Sequence, residues 1–218
     1  MIYEFPKNDE PIRQGDIFRQ IPHVDLSLGK LPVIIDQNRP VLTTWEKAAV
    51  SDDPVLAIVS AKPVNAIVIT QDCDASRAED ITLCEIRQFR TVERRSADMK
   101  SNPEKWMRLL TQQARINQKW FYLPPDPHLG FTDKMGVDFL VTLRVLRLDL
   151  EALRHQRKGR LNDVALAHFR ERIAEFYRRY PYDEWYALDK DELKACQKDH
   201  PGSQPYHMAD NCMNREKV

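Results

Sequence analysis

Between residues 15 and 90 the chain falls into short apolar runs, separated by Pro, Gly and Asp. This punctuation constrains the fold more than any other feature. Gly15-Asp16-Ile17-Phe18 leads into Val24-Asp25-Leu26, with Gly15 and Asp16 read as structural residues that turn the chain into a strand with Ile17 inward. Leu31 to Ile35, Val41 to Trp45, Val55 to Val59 and Asn65 to Thr70 follow, and then the alternating Ile81 to Ile86. Runs of this length match β-strands, and many short strands at close spacing predict a strongly bent sheet or a small barrel.

Later segments add one long strand and two helices. Val137, Phe139, Val141, Leu143 and Val145 recur at every second position, which predicts the longest strand with all five on one face. Ser101 and Glu104 form a capping box with Pro103 in the first turn, so a helix is expected over about 102–118. Asn162 caps a second, over about 162–179, with Leu166, Phe169, Ile173, Phe176 and Tyr177 as its buried stripe. The predicted class is α+β: a bent antiparallel sheet or small SH3-like β-barrel, two packed helices and a polar C-terminal tail. One domain over 1–195 is expected, with the barrel-like core in 12–90 and 119–150, followed by a mobile tail over 196–218.

Composition narrows the class without naming a partner. Apolar residues make up 42% of 218, an ordinary globular value, and 33 basic residues balance 33 acidic ones. The charge is uneven, however. Residues 1–53 carry a net −3 and residues 144–180 a net +5. The start lacks a basic segment followed by an apolar one, and no apolar run approaches the ~20 residues of a membrane span. Four Cys without a compact framework fit reduced thiols, so a cytoplasmic protein with no membrane partner is expected.

Residues 66–74, Ala-Ile-Val-Ile-Thr-Gln-Asp-Cys-Asp, concentrate the chemistry. An apolar strand runs into one thiol and two carboxylates. If the pleat continues, Asp72 and Asp74 share an exposed face while Cys73 turns inward as a packing residue. Two carboxylates on one face could act as acid and base or, with Glu79 and Asp80, hold a divalent cation. The ordinary alternative is a turn capped by Asp around a small buried Cys.

Two further groups stand out. Arg154, Arg157, Lys158 and Arg160 read as a basic loop, and Arg170, Arg172, Arg178 and Arg179 lie on the helix after it. Such a cluster suits a nucleic-acid backbone, RNA or DNA, with Arg154, Arg157, Lys158, Arg160, Arg178 and Arg179 as the phosphate contacts. Interleaved Asp163, Glu171 and Glu175 offer ion pairs along the helix as the simpler explanation. In the tail, Cys196, His200, His207 and Cys212 are the right ligand types for zinc at spacings unlike a classical finger.

Arg13-Gln14-Gly15-Asp16-Ile17-Phe18 with Val24-Asp25-Leu26, and Lys62-Pro63 ahead of Ala66-Ile67-Val68-Ile69-Thr70, resemble the pattern of the MazF/PemK-like toxins of bacterial toxin–antitoxin systems. That family shows Arg-Gly-Asp-Ile with Val-Asp-Leu, and later Arg-Pro before an apolar strand ending in Ser or Thr. Here Gln14 interrupts the first motif and Lys62 replaces the second Arg. The resemblance covers residues 12–74 and implies an SH3-like barrel and RNA cleavage without metal or other cofactor. Such cleavage needs a base, for which Asp72 or Asp74 serves, and a cation, for which Lys62 or Arg13 serves. The strand ending in Thr-Gln-Asp-Cys-Asp also resembles uncharacterised bacterial proteins of defence gene neighbourhoods. The function expected first is thus a toxin-like or defence-associated protein that binds nucleic acid and cuts RNA. A non-enzymatic adaptor that binds a protein partner from a neighbouring gene, within a multi-protein bacterial system, is the alternative.

Overall fold

Nine strands form in a computed structural model that describes residues 2–34, 39–50, 53–93, 102, 104–105, 119–178 and 198. They are β1 (Tyr3–Glu4), β2 (Asp16–Val24), β3 (Leu31–Ile34), β4 (Pro40–Thr43), β5 (Ala61–Val68), β6 (Asp80–Gln88), β7 (Trp120–Leu123), β8 (Met135–Leu146) and β9 (Arg157–Leu161). The helices are α1 (Trp45–Ala48), α2 (Asp72–Ala75), α3 (Phe89–Val92), α4 (Arg147–Ala152) and the long α5 (Asp163–Tyr177). Seven strands make one antiparallel sheet in the order β1-β9-β2-β5-β6-β8-β7, and β3 pairs with β4 in a separate hairpin. The fold is α+β, and the sheet is open: β1 and β7 are its edges, so the strands form an open antiparallel sheet and not a closed barrel. Residues 1–177 form one compact unit and residues 178–218 another. Among the described residues no helix is long and apolar enough to cross a membrane.

The sheet is covered on both faces. Ile17, Ile67, Cys84, Ile86 and Val137 point to one side, where Phe131, Ala165 and Phe169 close over them. Phe18, Ala66, Val68, Ile81 and Leu83 point to the other, beneath Ile12, Ala75 and Leu150. This two-sided burial explains why β5 reads as a continuous apolar run and not as an alternation. Helix α5 forms as its sequence predicts, except that Tyr177 is exposed, which corrects the buried place expected for it at the end of the stripe. The Asn162 side chain accepts the Ala165 N–H at 2.9 Å, Phe169 is fully buried, and Leu166, Ile173 and Phe176 pack partly against the same core. The expected helix over 102–118 lies largely outside the described residues.

Strand β8 departs from its alternation. Cys84 of β6 stands opposite Thr142 while Glu85 stands opposite Asp138, so residues 139–141 are inserted between paired positions. An odd insertion reverses the pleat. Val137 and Phe139 therefore join the first core, whereas Leu143 and Val145 join the second. The expectation that all five alternating residues share a face is corrected on that account.

Gly15 opens β2 at φ +88°, and a Cβ there would lie 3.0 Å from Leu166 Cδ1 of α5. Its N–H bonds the Val68 carbonyl and its carbonyl accepts the Leu161 N–H, so the backbone has no freedom to relax. Gly15→Ala is expected to lower unfolding free energy by about 1–3 kcal/mol in chemical denaturation. A change below about 0.5 kcal/mol would contradict this strain.

Candidate functional site

Strand β5 ends by side-chain capture. Thr70 Oγ1 accepts the Thr82 N–H at 2.8 Å, while the Ile69 and Thr70 N–H groups both reach the Thr82 carbonyl. The chain then turns on Gln71, whose carbonyl accepts from Asp74 and Ala75, and becomes helical. Helical phase replaces the pleat at this point. Ala75 is the buried residue and Cys73 is exposed, which corrects the inward Cys73 expected from a continuing strand. Asp72 and Asp74 consequently serve different partners.

Asp72 faces α5. Its Oδ2 accepts from Arg170 Nη2 at 2.6 Å and its Oδ1 accepts the Gln14 backbone N–H at 2.8 Å. Gln14, nearly fully buried, donates from Nε2 to the Ile69 carbonyl at 2.8 Å and accepts from Arg170 Nε at 2.7 Å. The residue that interrupts the toxin-like motif thus ties together β2, the end of β5 and α5. Asp74 turns outward and pairs with Arg77 at 2.9 Å.

A cleft of about 580 Å³ opens beside this network. Gln71, Asp72 and Cys73 form one wall. Arg170, Ile173, Ala174 and Tyr177, at the i, i+3, i+4, i+7 spacing of one helix face, form the other, with Gln14 between. Cys73 and Cys84 are both free thiols, but only Cys73 is exposed to reagents. Burial, with the Asp138 carboxylate adding to it, pushes the Cys84 thiol up to about 12. Among the described residues no His lines the cleft to act as a base for Cys73.

The remaining candidates do not converge here. Lys62 sits near the far end of β5, roughly 25 Å from Thr70 at strand rise, and pairs with Asp25 at 3.2 Å. There His23 lies with Nδ1 2.8 Å from Glu85 Oε2 and Nε2 3.2 Å from Asp25 Oδ1, and Arg87 bridges Glu85 and Asp138. Arg13 is exposed, and its backbone N–H bonds Asp16. Of the two cations expected for RNA cleavage, Lys62 therefore lies away from Asp72, whereas Arg13 adjoins Gln14, whose backbone N–H bonds Asp72. Asp80 pairs with Arg144, and among the described residues no three His, Cys, Asp or Glu groups come together as a metal site.

The basic loop is mostly a strand, β9, and its arginines point inward. Arg157 and Arg160 are buried against Asp16, which is itself fully buried. Both amino groups of Arg157 are engaged by Asp16 and by the carbonyls of Lys7, Glu10 and Pro11. Neither residue has a guanidinium to offer a phosphate, which corrects the nucleic-acid surface predicted for them. Arg154 donates to the Asp9 carbonyl and Lys158 to the His155 carbonyl. Arg178 is exposed. Arg179 and the tail residues Cys196, His200, His207 and Cys212 lie outside the described residues.

Gln14, Ala174 and Tyr177 are cleft residues that sequence reasoning did not assign to a site, and Arg170 was read only as a member of the basic cluster. The helical spacing from Arg170 to Tyr177 was available as a signal, but their facing Asp72 depends on the tertiary fold. Comparisons with protein-family models, with curated proteins and with solved structures find no match.

Proposed function

We propose that this protein is a partner-binding module, and that the β3–β4 hairpin with its flanking segments is the arm that engages another protein. The observation that carries this is where apolar surface is exposed. Among the described residues, ten of the sixteen exposed large hydrophobic side chains fall within residues 24–59, so exposure there is concentrated. Trp45 N–H bonds the Leu28 carbonyl, Ile34 N–H bonds Leu56, and Ile58 N–H bonds Pro32, which holds Leu28, Trp45, Leu56 and Ile58 about one hairpin. Leu31 and Val33 turn inward and are buried, while Val41 and Leu42 on β4 are both exposed. Among the described residues β4 pairs with β3 alone, so its other edge can accept an added strand. A two-stranded hairpin is marginally stable by itself, and an apolar strand from a partner would complete it.

A photo-crosslinking residue placed at Val41 in the protein's native cells tests this reading. The expected result is one dominant protein adduct that disappears when Leu42→Asp or Leu56→Asp is also present. Both variants are exposed changes, expected to alter unfolding free energy by less than about 0.5 kcal/mol. Absence of any adduct, or an adduct indifferent to both variants, would sink the proposal.

A further inference from the structure

We infer that the cleft between α2 and α5 binds a nucleoside monophosphate group, either as a free nucleotide or at the phosphorylated end of a strand. The inference is independent of the arm. It rests first on the way Arg170 is held. Its Nε donates to Gln14 and its Nη2 donates to Asp72, so both bonds use the Nε–Nη2 edge of the guanidinium. That fixes the side chain along one edge and leaves the end-on edge, with one Nη1 hydrogen and the second Nη2 hydrogen, without a partner among the described residues. Two parallel N–H groups at such an edge match two oxygens of a phosphate. The Arg170 side chain is 48% exposed and Asp72 is 44% exposed, so the edge opens to solvent and to ligand.

The rest of the cleft says what the phosphate would be attached to. One helical turn beyond Arg170, Ile173 and Ala174 make the α5 wall apolar, and Tyr177 presents a largely exposed ring two turns on. A flat aromatic base can lie on that ring, since stacking tolerates any base. On the facing wall, Gln71 supplies an amide donor and acceptor for a base edge. A volume of about 580 Å³ falls in the usual range for small-molecule sites and exceeds what a bare anion fills. Asp72 already neutralises part of Arg170, so phosphate contact and ring contact are both needed for binding.

Cys73 on the cleft wall reports occupancy. With Cys196→Ser and Cys212→Ser in place and Cys84 buried, maleimide alkylation measures Cys73. Adenosine and uridine 5′-monophosphates are expected to slow that alkylation about tenfold at saturation, whereas adenosine or inorganic phosphate at equal concentration slows it less than about twofold. A 5′-phosphorylated oligoribonucleotide protecting at lower concentration than either nucleotide identifies a strand end as the source. The reverse order identifies a free nucleotide, and a 5′-hydroxyl oligoribonucleotide is expected to fail in both cases. Arg170→Lys keeps the charge but removes the end-on pair, and is expected to weaken nucleotide protection about tenfold. Should that variant melt early, the exposed Tyr177→Leu takes its place, with the same loss expected and Tyr177→Phe retaining binding. Protection by phosphate equal to that by nucleotide, no protection by either nucleotide at millimolar concentration, or full protection in both Arg170→Lys and Tyr177→Leu would overturn the inference.

Discussion

Asp16→Ala is expected to cost about 3–5 kcal/mol of unfolding free energy, because it strands two buried guanidinium groups. Asp16 is fully buried, and Arg157 Nη1 meets its Oδ2 at 3.0 Å. Arg160 straddles the carboxylate with Nε on Oδ1 and Nη2 on Oδ2, the latter at 3.3 Å. The same two arginines bond the carbonyls of Glu10 and Pro11, so they also pin the segment ahead of β2. Removing the carboxylate leaves positive charge in a site that water cannot easily reach. For a chain of this size the loss corresponds to a fall in melting temperature of roughly 6–20 °C. Urea denaturation of Asp16→Ala, Arg157→Ala and the double variant provides the check. The two losses should be strongly non-additive, the double variant being much less damaged than their sum. Simple additivity, or a single-variant loss under about 1 kcal/mol, would mean the network does not hold the sheet together.

This network also shows where the sequence stops being informative. Strands β2, β5, β6 and β8 and helix α5 could be read from local pattern, because apolar spacing and the Asn162 cap act within a few residues. Strand β9 could not. Arg157-Lys158-Gly159-Arg160 has no apolar alternation, and what turns it into a strand is a carboxylate more than 140 residues earlier in the chain. Gly159 contributes through space, since a Cβ there would lie 2.6 Å from Leu129 Cδ2. The reversal of faces in β8 was hidden for a related reason: a bulge is defined by two strands together, and Val137 to Val145 still place an apolar residue at every second position within one. The candidate site was legible in location but not in orientation. Thr70 to Asp74 does mark it, yet the change from pleat to helix at Gln71 decides that Asp72 meets Arg170 and that Cys73 is exposed.

The second large effect is expected at Phe169. Phe169→Ala should lower unfolding free energy by about 3–5 kcal/mol, the range for deleting a fully buried aromatic side chain. Phe169 is 0% exposed, and its ring meets Phe121 edge-on at 5.1 Å and Phe139 at 5.9 Å. Phe121 belongs to β7 and Phe139 to the inserted part of β8, so one side chain from α5 holds both strands at that edge of the sheet. Phe176 also contacts Phe139, at 5.4 Å, but is only partly buried, and Phe176→Ala is expected to cost about half as much or less. The comparison matters for the cleft. Arg170 follows Phe169 directly, so the anchor that seats α5 on one face of the sheet also fixes the height at which Arg170 meets Asp72 and Gln14. Differential scanning calorimetry of the two variants checks the ranking. Equal losses, or a Phe169→Ala loss under about 1.5 kcal/mol, would show that α5 is seated by its exposed-side ion pairs and not by this aromatic contact.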